Sequence, residues 1–208
     1  MKTQQKKTAV AALIGIALVA FVWYSFNGTP TASGSKGTAA VSFVVRYKDG
    51  TQDVFNAPNS LSVMPLTLYI GGKEISSVDA RCYATLDKSV TAWTASINQR
   101  VEVYKGGASS PATSSTGGYT KTGSAWAQGE TKELLSTTLS GSQIENAIKQ
   151  YGDGAWLMNV AVTITITATD AAGVSSTING QGAGGLNFVF QSTQAMSVVA
   201  TLAAMPLT

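Results

Sequence analysis

The 208-residue chain has no histidine and a single cysteine, Cys82, so most side chains that carry metal, nucleophilic and general-base chemistry are missing. Without imidazole there is no Ser-His-Asp or Cys-His arrangement and no histidine-based zinc or copper site, and one thiolate cannot hold a structural zinc or an iron–sulfur cluster. Neither a metal nor a redox cofactor is expected. Ser33-Gly34-Ser35-Lys36 matches the S-x-x-K pattern of acylating serine enzymes, whose lysine must be held beside the serine by a rigid helix. Here it falls in a Gly-, Ser- and Thr-rich stretch with no such support. Asp153 lies between Gly152 and Gly154 without the alternating acids that gather oxygens round calcium, and reads as a turn residue. Asp53, Asp79, Glu102 and Glu133 would have to converge in pairs to hydrolyse a glycosidic bond, and a solvating role is simpler. Cys82, between Ala80 and Ala84, reads as a small buried hydrophobe, with an intermolecular disulfide as the alternative. Trp93, Trp126 and Trp156 offer rings that stack on sugars or anchor a core. Trp156 continues an apolar stripe; Trp126 follows a small-residue tract and is a candidate contact residue. The residues therefore point away from an enzyme.

What positions these residues begins with the N-terminus. Lys2, Lys6 and Lys7 precede an apolar run from Ala9 through Leu13, Ile16, Phe21, Trp23 and Tyr24 to Phe26. Eighteen helical residues at about 1.5 Å each reach ~27 Å, close to a bilayer's hydrocarbon thickness. Phe21, Trp23, Tyr24 and Phe26 crowd the far end, where amphipathic rings favour the headgroup region, and the lysines favour the cytoplasmic side. Residues 1–8 then form a basic tail, 9–26 a transmembrane helix and 27–38 a flexible linker. Residues 39–208 form an extracytoplasmic domain on a cell surface or virion. A cleaved signal peptide would need a small-residue site after the run, and Trp23-Tyr24-Ser25-Phe26-Asn27 supplies none. Asn27-Gly28-Thr29 is a formal glycosylation acceptor against the membrane face. Three of the fourteen basic residues lie in the tail, leaving eleven against eleven acids, so the outer domain is neutral and carries no basic stripe for nucleic acid.

Lys7-Thr8 followed by Ala9-Val10-Ala11-Ala12-Leu13-Ile14 resembles the class III signal of archaeal pilins. The resemblance covers about 20 residues at the N-terminus, where a basic and a small residue precede the cut and the apolar segment stays on the mature protein. It implies a prepilin-like, membrane-anchored β-domain protein of a surface or virion, although Asn27-Gly28-Thr29-Pro30 ends this helix earlier than is usual in those pilins.

From Ala39 onward the signal is period-two alternation. Val41, Phe43, Val45 and Tyr47 share a face and return through Lys48-Asp49-Gly50 to Thr51–Phe55 as a hairpin. Leu66–Ile70 and Lys73–Val78 flank Gly71-Gly72 as a second hairpin, and Val78, Ala80, Cys82, Ala84 and Leu86 continue an inward face. Val90–Tyr104 and Thr131–Leu139 are further strands. Residues 105–125, of which 18 of 21 are Gly, Ala, Ser, Thr or Pro, read as a mobile, protease-sensitive loop. Ser142 and Glu145 suggest a capping box opening one short helix that ends at Gly152. Trp156–Thr169 alternates an apolar face with a threonine face. Val174–Asn179 follows, Gly180–Gly185 reads as a flexible bridge, and Leu186–Leu202 carries the closing strands. The expected fold is all-β: an antiparallel two-sheet sandwich, immunoglobulin-like or jelly-roll, with one short helix and an N-terminal transmembrane helix.

Residues 197–208 carry no charge. Such a tail must pack on its own sheet or on a neighbour, which makes Val198 and Leu202 candidate interaction residues beside Trp126. Low charge, abundant Ser and Thr and an apolar anchor together suggest a non-enzymatic structural or interaction protein of a surface layer, appendage or lipid-containing virion. Its partners would be the bilayer and copies of itself or other proteins of the assembly. The alternatives are a membrane-anchored glycan- or ligand-binding module and an accessory subunit of a membrane enzyme complex.

Overall fold

A computed structural model describes residues 36–56, 63–68 and 70–208. The anchor residues Ala9 to Phe26 lie outside them, and no helix among the described residues is long and apolar enough to cross a membrane. In chain order the elements are β1 (Gly37–Tyr47), β2 (Gln52–Phe55), β3 (Val63–Leu68), β4 (Lys73–Leu86), β5 (Ala92–Lys105), β6 (Thr113–Gly123) and β7 (Thr131–Ser140). They continue as α1 (Gly141–Tyr151), β8 (Gly154–Thr169), β9 (Ser175–Gln191) and β10 (Gln194–Leu207).

The alternation read from the sequence becomes two buried stripes. Val41, Phe43 and Val45 of β1 and Val78, Ala80, Cys82, Ala84 and Leu86 of β4 face inward from one side. Trp93, Ala95 and Ile97 of β5, the Trp156-to-Ala168 stripe of β8 and Leu186, Phe188 and Phe190 of β9 face them. All pairing is antiparallel, in the order β2-β1-β4-β10-β9-β8-β5-β6, with β3 added on β10 and β7 on β4. Among the described residues the strands form one continuous ten-stranded hydrogen-bonded network that curls over its own core. The link is β10. One of its edges pairs along β9, while the other meets the start of β4, then β3, then the start of β1.

Three expectations are corrected. The second hairpin does not form, because β3 pairs with β10 and leaves β4 to pair with β1 and β7. Gly180–Gly185 is no bridge, since β9 runs unbroken through it beside β8. Its glycines answer a packing demand: a Cβ on Gly180 would stand 2.0 Å from Leu207 Cδ2, and one on Gly184 would stand 3.1 Å from Phe43 Cε2. The 105–125 tract is a turn followed by β6, in unbroken register with β5 from Val103↔Thr113 to Trp93↔Gly123.

The helix starts earlier than read. Ser140 is its N-cap and Gln143 the reciprocal partner, so the capping box lies two residues before the Ser142–Glu145 pair inferred from spacing. Ile144 and Ile148 are buried over the end of the sheet, and Lys48 ties the helix down by bridging Glu145 at 2.8 Å and Glu74 at 2.9 Å. A void of about 20 Å³ remains beneath it, among Val103, Ile148, Trp156, Met158 and Phe190. That is water-sized and far below the few hundred Å³ of a small-molecule site.

Candidate interaction surface

The three candidate contact residues of the domain lie inside it. Trp126 is fully buried. Its indole nitrogen donates to the Glu130 carbonyl at 2.8 Å, and its ring meets Trp93 edge-on at 5.1 Å between centroids. An isolated bridge to Val90 holds this otherwise irregular segment against the sheet. Val198 and Leu202 are likewise fully buried on β10, opposite Phe188 and Gly184 of β9. The uncharged tail therefore closes its own sheet, the first of the two options its composition left. Trp93 and Trp156 are also buried, so none of these three indoles presents a ring for sugar stacking.

Of the candidate acids, Asp79, Glu102 and Glu133 are engaged with cations and hydroxyls. Asp79, buried on β4, accepts from Arg46 at 2.5 Å and from Thr138 at 2.8 Å. Burial pushes its carboxyl up, but the bonds from Arg46, Thr138 and Arg81 outweigh that and hold it below the usual carboxylate range. Glu133 lies 3.6 Å from Arg81 and accepts from the Tyr83 hydroxyl, while Glu102 pairs with Arg100 and Tyr104. Asp79 and Glu133 thus share Arg81, and the lowered carboxyl of Asp79 is the opposite of what a general acid needs. Lys105 donates to the Gly152 carbonyl at 2.6 Å and to that of Asp153, which places Asp153 in the connection from α1 to β8. Burial raises the Cys82 thiol from its ordinary 9.0 to about 12. No cluster of three or more potential metal ligands occurs among the described residues.

What the domain does present is a broad outer face on β6, β5, β8 and β9. Apart from Gln99, the inward residues of β5 and β8 are apolar, so period two sends most of their polar residues outward. Register then aligns these into rungs across four strands. One rung is Thr122, Thr94, Thr167 and Thr177; the next is Thr120, Ser96, Thr165 and Asn179; the third is Gly118, Asn98, Thr163 and Gln181. All twelve residues are exposed and none is charged. Neighbouring strands lie about 4.8 Å apart and same-face residues ~6.8 Å apart along a strand, so the hydroxyls and amides form a near-regular lattice. Thr165 donates to Asn179 at 3.1 Å within it. A shallow depression at its lower end is lined by Asn98, Arg100, Thr116, Gly118, Ala161 and Thr163.

The threonine face of β8 was legible from its alternation alone. Its extension over β5, β6 and β9 was not, because register sets which residues share a rung. Asn187 of β9 and Thr201 of β10, buried with their side-chain polar atoms unpartnered, were equally beyond sequence reasoning.

No family model matches the chain, and no curated protein is significantly similar to it. Among solved structures, the E. coli curli protein CsgC aligns with 61% of this chain and 97% of its own, at 15% identity and a TM-score of 0.24. A protein from Archaeoglobus fulgidus aligns with 62% of this chain and 96% of its own, at 12% identity and a TM-score of 0.25. Scores of this size carry no argument about fold or activity.

Proposed function

We propose that this chain is a non-enzymatic structural protein, held at a membrane by residues 9–26, whose neutral β domain packs with copies or partners in a surface layer, appendage or lipid-containing virion. The observation that carries this reading is the uncharged lattice of twelve exposed residues. A free-standing domain disperses itself with interspersed Lys and Glu on an exposed sheet face, whereas here charge stands at the margin of the lattice: Arg100 pairs with Glu102 at one end, and Lys36 donates to the Thr177 carbonyl at 3.3 Å at the other. Short hydroxyl and amide side chains suit close packing because they lose little rotamer freedom and both donate and accept. The two-layer sandwich belongs to the same proposal, supported by the seating of Val41 and Phe43 of β1 against Gly182 and Gly184 of β9.

The test is the mass of the full chain after extraction in mild detergent. A large particle of defined stoichiometry is expected, and Thr94→Lys with Thr165→Lys should disperse it without loss of β-sheet circular dichroism. A wild-type chain that is monomeric at every concentration would overturn the reading. The depression beside Asn98 and Arg100 supports a second reading, a glycan-binding module; saturable binding to one glycan by a monomeric chain would favour it.

A further inference from the structure

Pairing assigns β6 to the end of the strand path, where it bonds only β5 among the described residues. Natural edge strands are blunted against further pairing by shortness, proline, bulges or charge. The other edges here carry such devices. β2 has four residues, β3 contains Pro65, and β7 bears Lys132 and Glu133 beside a bulge where Leu134 is skipped in the pairing with β4. β6 carries almost none of them. It is 11 residues long, has no proline and an unbroken register, and Lys121 is its single charge. Both its faces are largely open to solvent: Ser114, Thr116, Thr120 and Thr122 are exposed on one side and Ser115, Tyr119 and Lys121 on the other.

We infer that β6 is a self-association edge, at which two copies of this chain pair antiparallel about a two-fold axis through Gly118. The sequence TSSTGGYTKTG suits that register. Gly118 faces itself, Gly117 faces the other copy's Tyr119, Thr116 faces Thr120, Ser115 faces Lys121, and Ser114 faces Thr122. No like charges meet, and the two lysines stand about 20 Å apart, beyond a Debye length of ~8 Å. Within one chain the Tyr119 ring already lies over Gly117, where a Cβ would be 2.7 Å from Cε2. The two-fold sets each ring beside the glycine of the facing strand as well. A foreign peptide added to an edge is selected by deep side-chain pockets, and the depression that Thr116 and Gly118 of β6 line with Asn98 and Arg100 is shallow and open. The occupant is therefore a second copy. This rests on the membrane-anchored assembly reading above, because tethering in one bilayer raises the effective concentration of edges.

Cysteine crosslinking of the full chain in detergent or nanodiscs tests the pairing. Opposed residues in an antiparallel pair have Cα atoms about 4.5–5.5 Å apart, within disulfide range. Gly118→Cys should crosslink under mild oxidation at least about tenfold faster than Ser114→Cys, whose two copies would stand ~27 Å apart. The added side chain meets only the end of Asn98 at 3.1 Å, and buried Cys82 stays silent. Thr116→Lys with Thr120→Lys opposes lysine to lysine twice and should abolish the crosslink and lower the assembled mass. Thr116→Glu with Thr120→Lys opposes unlike charges and should restore both. Equal crosslinking at the two cysteine positions, or a double-lysine variant that still pairs, overturns the proposal. If Gly118→Cys fails to fold, the two charge variants decide it by mass alone. A large assembly that persists when the β6 edge is blocked sinks the β6 pairing and leaves the assembly reading standing; a wild-type monomer sinks both.

Discussion

At the scale of single residues, fit against a facing layer decides what a position tolerates. Gly180 and Gly71 are both glycines without a positive φ, yet they should respond oppositely to a side chain. Gly180→Val forces a Cβ into Leu207 and should cost about 1–3 kcal/mol, seen as a lower denaturant midpoint at unchanged slope. Gly71→Ala has nothing within 4 Å and should leave the midpoint unchanged or raise it slightly. Cys82 makes the same point through charge. Its thiol stays neutral in the fold but ionises in the unfolded chain above its ordinary 9.0, so its contribution to stability is complete below that pH and falls as pH rises toward about 12. A thiol reagent at pH 8 should accordingly leave the native chain unlabelled and modify one thiol after denaturation.

At the scale of elements, local signals and tertiary partners divide the work. The helix cap is local. Ser140→Ala removes the side chain that bonds the Gln143 amide and should lower stability by about 0.5–2 kcal/mol, while Ser142→Ala should cost much less, both read by chemical denaturation. The spacing of Ser142 and Glu145 misled because the same four-residue pattern fits at two offsets, and only the extended backbone of Ser140, at φ −75° and ψ 153°, identifies the cap. β6 and β9 show the reverse case. Their composition argues against strand, since glycine in a strand interior weakens it. β9 persists because β8 and β10 pair both its edges and β1 needs the space over its glycines. β6 persists on one edge paired among the described residues.

At the scale of the whole molecule, β10 holds the curl closed. It pairs with β9, β3, β4 and β1, and buries Ala195, Val198, Ala200, Leu202 and Leu207. Each large aliphatic side chain stabilises by roughly 1.5–3 kcal/mol when buried, against a domain's whole margin of about 5–15 kcal/mol. Truncation before Ala195 should therefore give insoluble protein. A soluble, monomeric truncated domain with native circular dichroism would show that β10 does not close the sheet.

The amino-acid sequence by itself determined the all-β class, the inward stripes of β1, β4 and β8, and the burial of Cys82 and Trp156, because period-two alternation is a local property of a strand with one face on a core. It determined equally that no imidazole chemistry is available, since composition alone excludes it. Only the tertiary structure decided that Trp126, Val198 and Leu202 are core residues, that β3 joins β10, and that the layers are one curled sheet. Those outcomes depend on which strands lie side by side and in what register. Pairing between strands far apart in the chain is set by the competition of all edges and faces at once, and no local window of residues contains it.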